Sequence, residues 1–175
     1  MTAVGARISE TVCRFLTVVV GGELFAIDIA QIREVIHCPR ITRVPLSPAV
    51  VPGVINLRGA VVAVVDLSER LGRGPTRIGR RSCIVVIEVI MDERLTPVGL
   101  LVDAVEEAVE TSPRMLEPRA AFGMDFRHDF QSAMLRMGSR FVPVLDMAVV
   151  AEPAQLEALV KHGDGRADLR GYARS

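Results

Sequence analysis

The chain has 175 residues, half of them hydrophobic, with 21 basic and 21 acidic side chains. That length and apolar content can bury a sizeable core in one domain, or in two small barrels sharing an interface, which excludes disorder for most of the chain. The balanced charge removes the electrostatic drive of a general nucleic-acid or anionic-membrane binder, and 4% aromatic residues leave little on which to stack bases.

Residues 13–20 (CRFLTVVV) are dense in β formers, Gly21 and Gly22 supply a two-residue hairpin turn, and residues 24–29 return as a second strand. Ile29, Ile32 and Val35 then fall at every third position, which predicts a short helical turn rather than a strand. Residues 34–38 and 40–44 extend again around Pro39, and Pro45, Pro48 and Pro52 impose a loop or irregular edge.

Residues 53–66 (GVINLRGAVVAVVD) organise the rest: two apolar segments meet at the polar tetrad Asn56, Leu57, Arg58, Gly59. The valine-rich run after the tetrad reads as a buried strand, because branched side chains pack well on a pleated surface. Asn56 tolerates left-handed backbone and Gly59 takes positive φ without a Cβ penalty, so Arg58 is lifted to a hairpin tip. A guanidinium there offers five fixed donors to a facing carboxylate or amide of a partner; on spacing alone a solvated turn residue or an internal salt bridge is the better reading.

Residues 67–71 make one helical turn, and residues 72–81 (GRGPTRIGRR) form a basic surface loop that lacks the lysine of a phosphate-binding loop. Residues 82–90 and 95–102 form a hairpin around the charged turn 91–94. Residues 103–111 alternate irregularly and break at Ser112 and Pro113, residues 115–128 carry mixed polarity, and residues 141–145 are a strand ending at Asp146. A C-terminal helix is expected over residues 151–162, opened by Pro153, with a disordered tail over 163–175.

Two pieces of the first half recur in the second in the same order. Residues 26–36 align without a gap on residues 99–109, an offset of 73 positions (99 minus 26). Residues 61–67 align on 141–147, an offset of 80 (141 minus 61), so the second copy carries a seven-residue insertion of the kind loops tolerate. The duplication predicts an all-β fold with short helices, built as two related small barrels packed on a shared apolar face. The single domain spans residues 13–150, with subdomains near 13–81 and 82–150 whose boundaries can interleave.

Convergent chemistry is missing. His37, His128 and His162 are spread along the chain without metal-ligand spacing, and Cys13, Cys38 and Cys83 form no C-x-x-C pair, which suggests neither a disulfide framework nor a zinc ribbon. No nucleophile-elbow or zinc-protease motif is present, and the pattern calls for no catalytic residue, metal or cofactor. Asp66 and Asp146 each end a valine-rich strand, where capping the following helical turn is the better reading than catalysis. No apolar run approaches the roughly 20 residues of a membrane span and the start has no signal-peptide core, so a cytoplasmic chain is expected.

Phe25 to Ile29 (FAIDI), Ile32, Glu34 and Val35, then the block GVINLRG from Gly53 to Gly59, then Val64 to Leu67 (VVDL) and Val98 to Val105 (VGLLVDAV) resemble the successive signatures of the CheW family of bacterial chemotaxis coupling proteins. The resemblance spans about residues 15–150. It implies two pseudo-symmetric five-stranded SH3-like β-barrels packed against each other. It also implies a non-catalytic adaptor that joins the cytoplasmic tips of methyl-accepting chemoreceptors to the regulatory domain of a CheA-like histidine kinase, peripheral to receptor arrays and monomeric when isolated. By position in the motifs, Ile32, Glu34 and Arg58 correspond to receptor-contact residues, and Gly53, Asn56 and Gly59 to the partner surface and its turn. The chain departs where the family's second barrel commonly carries a glycine: here stands Phe130, Gln131, Ser132, Ala133, Met134. Alternatives are the same fold in a non-motility pathway controlling surface behaviour or gene expression, a small-barrel nucleic-acid module, which the neutral charge disfavours, or an enzyme using Asp66, Asp103 or Asp146 in a cleft.

Overall fold

The computed structural model describes residues 11–118 and 130–152. β1 (Cys13–Val20) and β2 (Glu23–Asp28) form a hairpin, a 3₁₀ turn (Ile29–Gln31) follows, and β3 (Ile32–His37) leads through a proline-rich stretch to β4 (Gly53–Leu57) and β5 (Ala60–Asp66). After α1 (Leu67–Arg70) come the long hairpin β6 (Cys83–Met91) and β7 (Arg94–Val102), then β8 (Ala104–Thr111), a second 3₁₀ turn (Pro113–Met115) and β9 (Leu116–Pro118). β10 (Gln131–Met137), β11 (Arg140–Leu145) and α2 (Met147–Val150) complete the described chain.

These strands make two sheets, ordered β8-β1-β2-β11-β10-β9 and β3-β6-β7-β5-β4. Neighbours are antiparallel except β2 with β11, which pair in parallel at Ala26 and Val144, and β5 with β7, which pair in parallel over Ala63 to Asp66 and Val98 to Leu101. The fold is the pair of small barrels that the duplication predicts, SH3-like as the family resemblance implies, with β9 as a short sixth strand on one of them. The repeats do not each build one barrel. Gly99 of β7 corresponds to Ala26 of β2, and Glu107 of β8 to Glu34 of β3, yet β3 pairs with β6 of the second repeat and β8 pairs with β1 of the first. Among the described residues the chain crosses between sheets at residues 29–31 and at Asp103, so the five-stranded sheet is continuous from Ile32 to Val102 and the six-stranded one is assembled from two segments.

Double burial explains the near-continuous apolar strands. Val85 and Ile87 of β6 join Val18, Val20, Phe25, Ile27, Leu100 and Leu145 in a core shared by both sheets. The alternate residues Ile84 and Val86 point the other way, into a core with Ile55, Val62, Val64 and Leu101 inside the five-stranded barrel. A strand covered on both faces reads as a solid hydrophobic run instead of an alternating one.

Two segments differ from their sequence reading. The helical turn anticipated over residues 29–35 is confined to Ile29–Gln31, capped by the Asp28 carboxylate on the Ala30 amide at 2.9 Å. Beyond it, Ile32, Glu34 and Ile36 are half-buried while Arg33, Val35 and His37 are exposed, a period of two imposed by pairing with β6. The irregular pattern of residues 103–111 is likewise a strand, and a register shift opposite Leu16 and Val18 absorbs its broken alternation. The helix expected over 151–162 falls outside the described residues from 153 onward, as do the 163–175 tail and residues 119–129. Ser132 lies within β10.

Both aspartates that end valine strands are helix caps. Asp66, 4% exposed, accepts from the Glu69 amide at 3.3 Å and from the Thr76 amide and hydroxyl at 2.8 and 2.6 Å, so it starts α1 and anchors the following loop. Asp146 accepts from the Ala148 amide at 3.1 Å. From α1, Arg70 donates to the carbonyls of Val149 and Val150 at the end of α2 (2.9 and 3.1 Å) and lies 4.9 Å from the Phe130 ring centroid, tying one barrel to the other.

Because each repeat leaves strands unpaired until the other arrives, the pieces 1–81 and 82–175 expressed separately are expected to lack sheet structure and to regain it on mixing. Far-ultraviolet circular dichroism and amide NMR spectra read this; two separately folded halves would contradict the exchange.

Candidate functional site

β3 and β4 are the two edges of the five-stranded sheet, and closing the barrel requires them to meet. The stretch that connects them folds back onto the start of β4, where Thr42 and Val54 exchange two backbone hydrogen bonds at 2.8 Å each. A Cβ on Gly53 would stand 2.0 Å from the Thr42 carbonyl oxygen, so only glycine fits. At the other end of β4 the chain turns at Arg58 (φ 50°) and Gly59 (φ 86°), a two-residue turn left-handed at both positions, the hairpin geometry that matches strand twist. The Asn56 side-chain oxygen accepts from the Gly59 amide at 2.8 Å and holds this turn. Nothing lies within 4 Å of a Cβ built on Gly59, so what glycine contributes there is its backbone freedom.

The turn aims Arg58 back across the seam. Its two terminal nitrogens donate to both oxygens of Glu34 on β3, at 3.0 and 2.5 Å, a fork-on-fork pair that joins the two edges of the sheet. Of the readings open for Arg58, the structure makes the internal salt bridge. The bridge is one-sided, however: the Arg58 side chain stays 66% exposed against 22% for Glu34, so the outer face of the guanidinium remains available. The hydrogen bond from Arg58, assisted by its charge and that of Arg33 and opposed by desolvation, holds the Glu34 carboxyl below the usual carboxylate range. The Arg58 pKa is raised in turn.

Ile32, two residues before Glu34, packs partly against the shared core. It also lines an open groove of about 350 Å³ with Ala30, Gln31, Arg33, Glu88 and Leu95, where Arg33 and Glu88 pair at 3.4 Å. The structure thus brings Ile32, Glu34, Asn56, Arg58 and Gly59 to one end of the five-stranded barrel, and sets Gly53 apart, at the start of β4, as a barrel-closing residue. Four exposed apolar residues lie on the strands of this barrel and carry no sequence signal that separates them from buried neighbours: Val35, Val61, and the directly opposed pair Ile90 and Leu95 near the tip of the β6–β7 hairpin. In runs such as IVVIEVI, composition does not reveal which residues outlast the sheet.

The two glycines should respond differently to substitution. Gly53→Ala drives a methyl into backbone and is expected to cost more than about 2 kcal/mol; Gly59→Ala meets only the left-handed backbone penalty of about 1–2 kcal/mol. Urea unfolding reads both, and a larger loss at Gly59 would contradict the seam geometry.

Because folding lowers the Glu34 pKa, the pair adds stability above the ordinary carboxylate range and loses it as pH falls through the depressed value. Arg58→Ala removes the largest cause, so the Glu34 carboxyl carbon, followed by NMR, should titrate at higher pH than in the parent chain. An unmoved titration would show that the pair does not persist in solution.

The model for the CheW-like domain matches residues 14–155. The chain is 32% identical over 139 residues to the "Probable chemotaxis protein CheW" of Rhizobium etli and 35% identical over 139 residues to the chemotaxis protein CheW of Rhizobium meliloti, in each case covering 79% of this chain and 87% of the relative. Among solved structures it superposes on the scaffolding protein TtCheW from Thermoanaerobacter tengcongensis with a TM-score of 0.71 at 25% identity, covering 81% of this chain and 94% of the other.

Proposed function

The chain belongs to the CheW-like domain family, and we propose that the outer face of Arg58, with Glu34 and Ile32, is its chemoreceptor contact. The function is that of a chemosensory coupling adaptor, linking chemoreceptor cytoplasmic tips to a CheA-type histidine kinase. The family acts as a scaffold without catalysis, and we read this chain in the same way. The observation that carries the site assignment is the exposed side of the Arg58–Glu34 bridge. The bridge fixes a cation at a rigid turn, so a partner carboxylate or carbonyl meets donors whose orientation is already set. Ile32, half-buried at the groove, supplies apolar contact beside it. The kinase regulatory domain would dock elsewhere by barrel-to-barrel packing, and the isolated chain would be a monomer. No helix among the described residues is long and apolar enough to cross a membrane; a cytoplasmic place at receptor arrays follows from the proposed partners.

Titration against a receptor signalling fragment and, separately, the kinase regulatory domain tests the assignment. Arg58→Ala, Glu34→Lys and Ile32→Ala should each weaken receptor binding roughly tenfold or more while kinase binding changes far less. Equal losses for both partners would move the receptor surface elsewhere. A charge exchange, Glu34→Arg with Arg58→Glu, separates closure of the barrel from recognition: the swapped pair should restore stability and still fail to bind receptor. Restored binding would mean that the pair only closes the seam.

A further inference from the structure

The loop between α1 and β6 carries a second surface that the receptor site does not use. Residues 72–81 contain four arginines and no acidic residue. A loop of this composition would ordinarily be a solvated, mobile tether, but here the backbone is pinned at both ends. The buried Asp66 carboxylate holds the amide and hydroxyl of Thr76, and the hydroxyl of Ser82, 3% exposed, accepts from the Gly79 amide at 2.8 Å. Arg73 reaches Glu23 and lies 5.3 Å from the Phe25 ring centroid, and Arg81 pairs with Glu106 at 3.0 Å. Between these anchors Arg77, Ile78 and Arg80 project, with Ile78 58% exposed. Cys38 donates its amide to the Ser82 carbonyl at 3.0 Å, which brings the exposed Arg40 alongside the end of the loop. Arg40, Arg77 and Arg80 enter none of the ion pairs among the described residues.

We propose that this pinned loop is a docking site for an acidic polypeptide segment that also carries an apolar side chain. Arg77 and Arg80 on this pinned loop, with Arg40 two residues beyond the Cys38 contact, gather positive charge outside the ion pairs, and a segment bearing carboxylates neutralises it at little ordering cost to the loop. Ile78 between Arg77 and Arg80 favours a polypeptide over nucleic acid, since the loop has no aromatic residue on which a base could stack. The site lies at the opposite end of β5 from Arg58: Asp66 closes that seven-residue strand and Gly59 precedes it, about 20 Å away. A partner here therefore leaves the receptor surface open.

The test uses the full chain and a fluorescein-labelled twelve-residue peptide of glutamate and leucine in alternating pairs, with twelve-residue oligoglutamate, oligothymidylate dodecamer and phosphatidylglycerol vesicles as comparisons. The parent chain should bind the mixed peptide more tightly than any comparison ligand. Arg77→Glu with Arg80→Glu should weaken that binding at least tenfold, and Ile78→Ser should remove the preference for the mixed peptide over oligoglutamate, with thermal unfolding unchanged in each variant. Undetectable peptide binding, binding unaffected by the double reversal, or tighter binding to oligothymidylate or vesicles would each overturn the proposal. Receptor titrations of the same variants keep it separate from the receptor-site reading, because Arg58→Ala should leave peptide binding intact.

Discussion

The structure depends on strands that are buried on both faces. β6 is the clearest case: one set of its side chains enters the core between the sheets and the alternate set enters the five-stranded barrel, so a single strand belongs to two cores at once. Burying a Val or Ile side chain contributes on the order of 1.5–3 kcal/mol, and in this chain most of that contribution is realised only when both repeats are present. The exchange of β3 and β8 makes the same demand through backbone hydrogen bonds. Neither sheet has its full complement of partners within one repeat.

That mutual dependence gives the Arg58 turn its rigidity. A left-handed arginine is an unfavourable conformation for a residue with a Cβ, and it persists because Asn56 holds the turn, Gly59 follows, and Glu34 receives the guanidinium from across the seam. The second repeat offers a contrast. The residue aligned with Arg58 is Gly138, and Glu107, aligned with Glu34, has no ion pair among the described residues; its backbone is instead joined to Thr17 on β1. The Glu34–Arg58 seam thus has no counterpart at the aligned positions Glu107 and Gly138 among the described residues, and the pseudo-symmetry of the scaffold does not extend to this part of its surface. α1 and α2 repeat an aspartate cap with Asp66 and Asp146, and Asp66 also anchors the loop that follows α1.

Local chemistry was legible wherever a few neighbouring residues decide the outcome. Gly21 and Gly22 marked one hairpin, Asn56 to Gly59 another, Asp66 and Asp146 announced their caps, and the two aligned segments announced the paired barrels, because turns, caps and repeats depend on contacts within a few positions. The same locality misled at residues 29–35, where a three-residue spacing is real but extends no farther than one 3₁₀ turn before β6 captures the chain. At residues 103–111 the bulge between β1 and β8 disguised a strand.

Valine-rich runs and a tip arginine were thus written in the sequence. Tertiary structure decided what those features meet. Glu34 and Arg58 are 24 positions apart and become partners only because β3 and β4 are edges of one closing barrel. Gly53 is obligatory only because Thr42 arrives against it. Which repeat supplies which strand is a matter of long-range pairing between segments of nearly identical pattern, and identical patterns give no local preference for one partner over another. The shared core, which counts burial across both repeats at once, makes that choice.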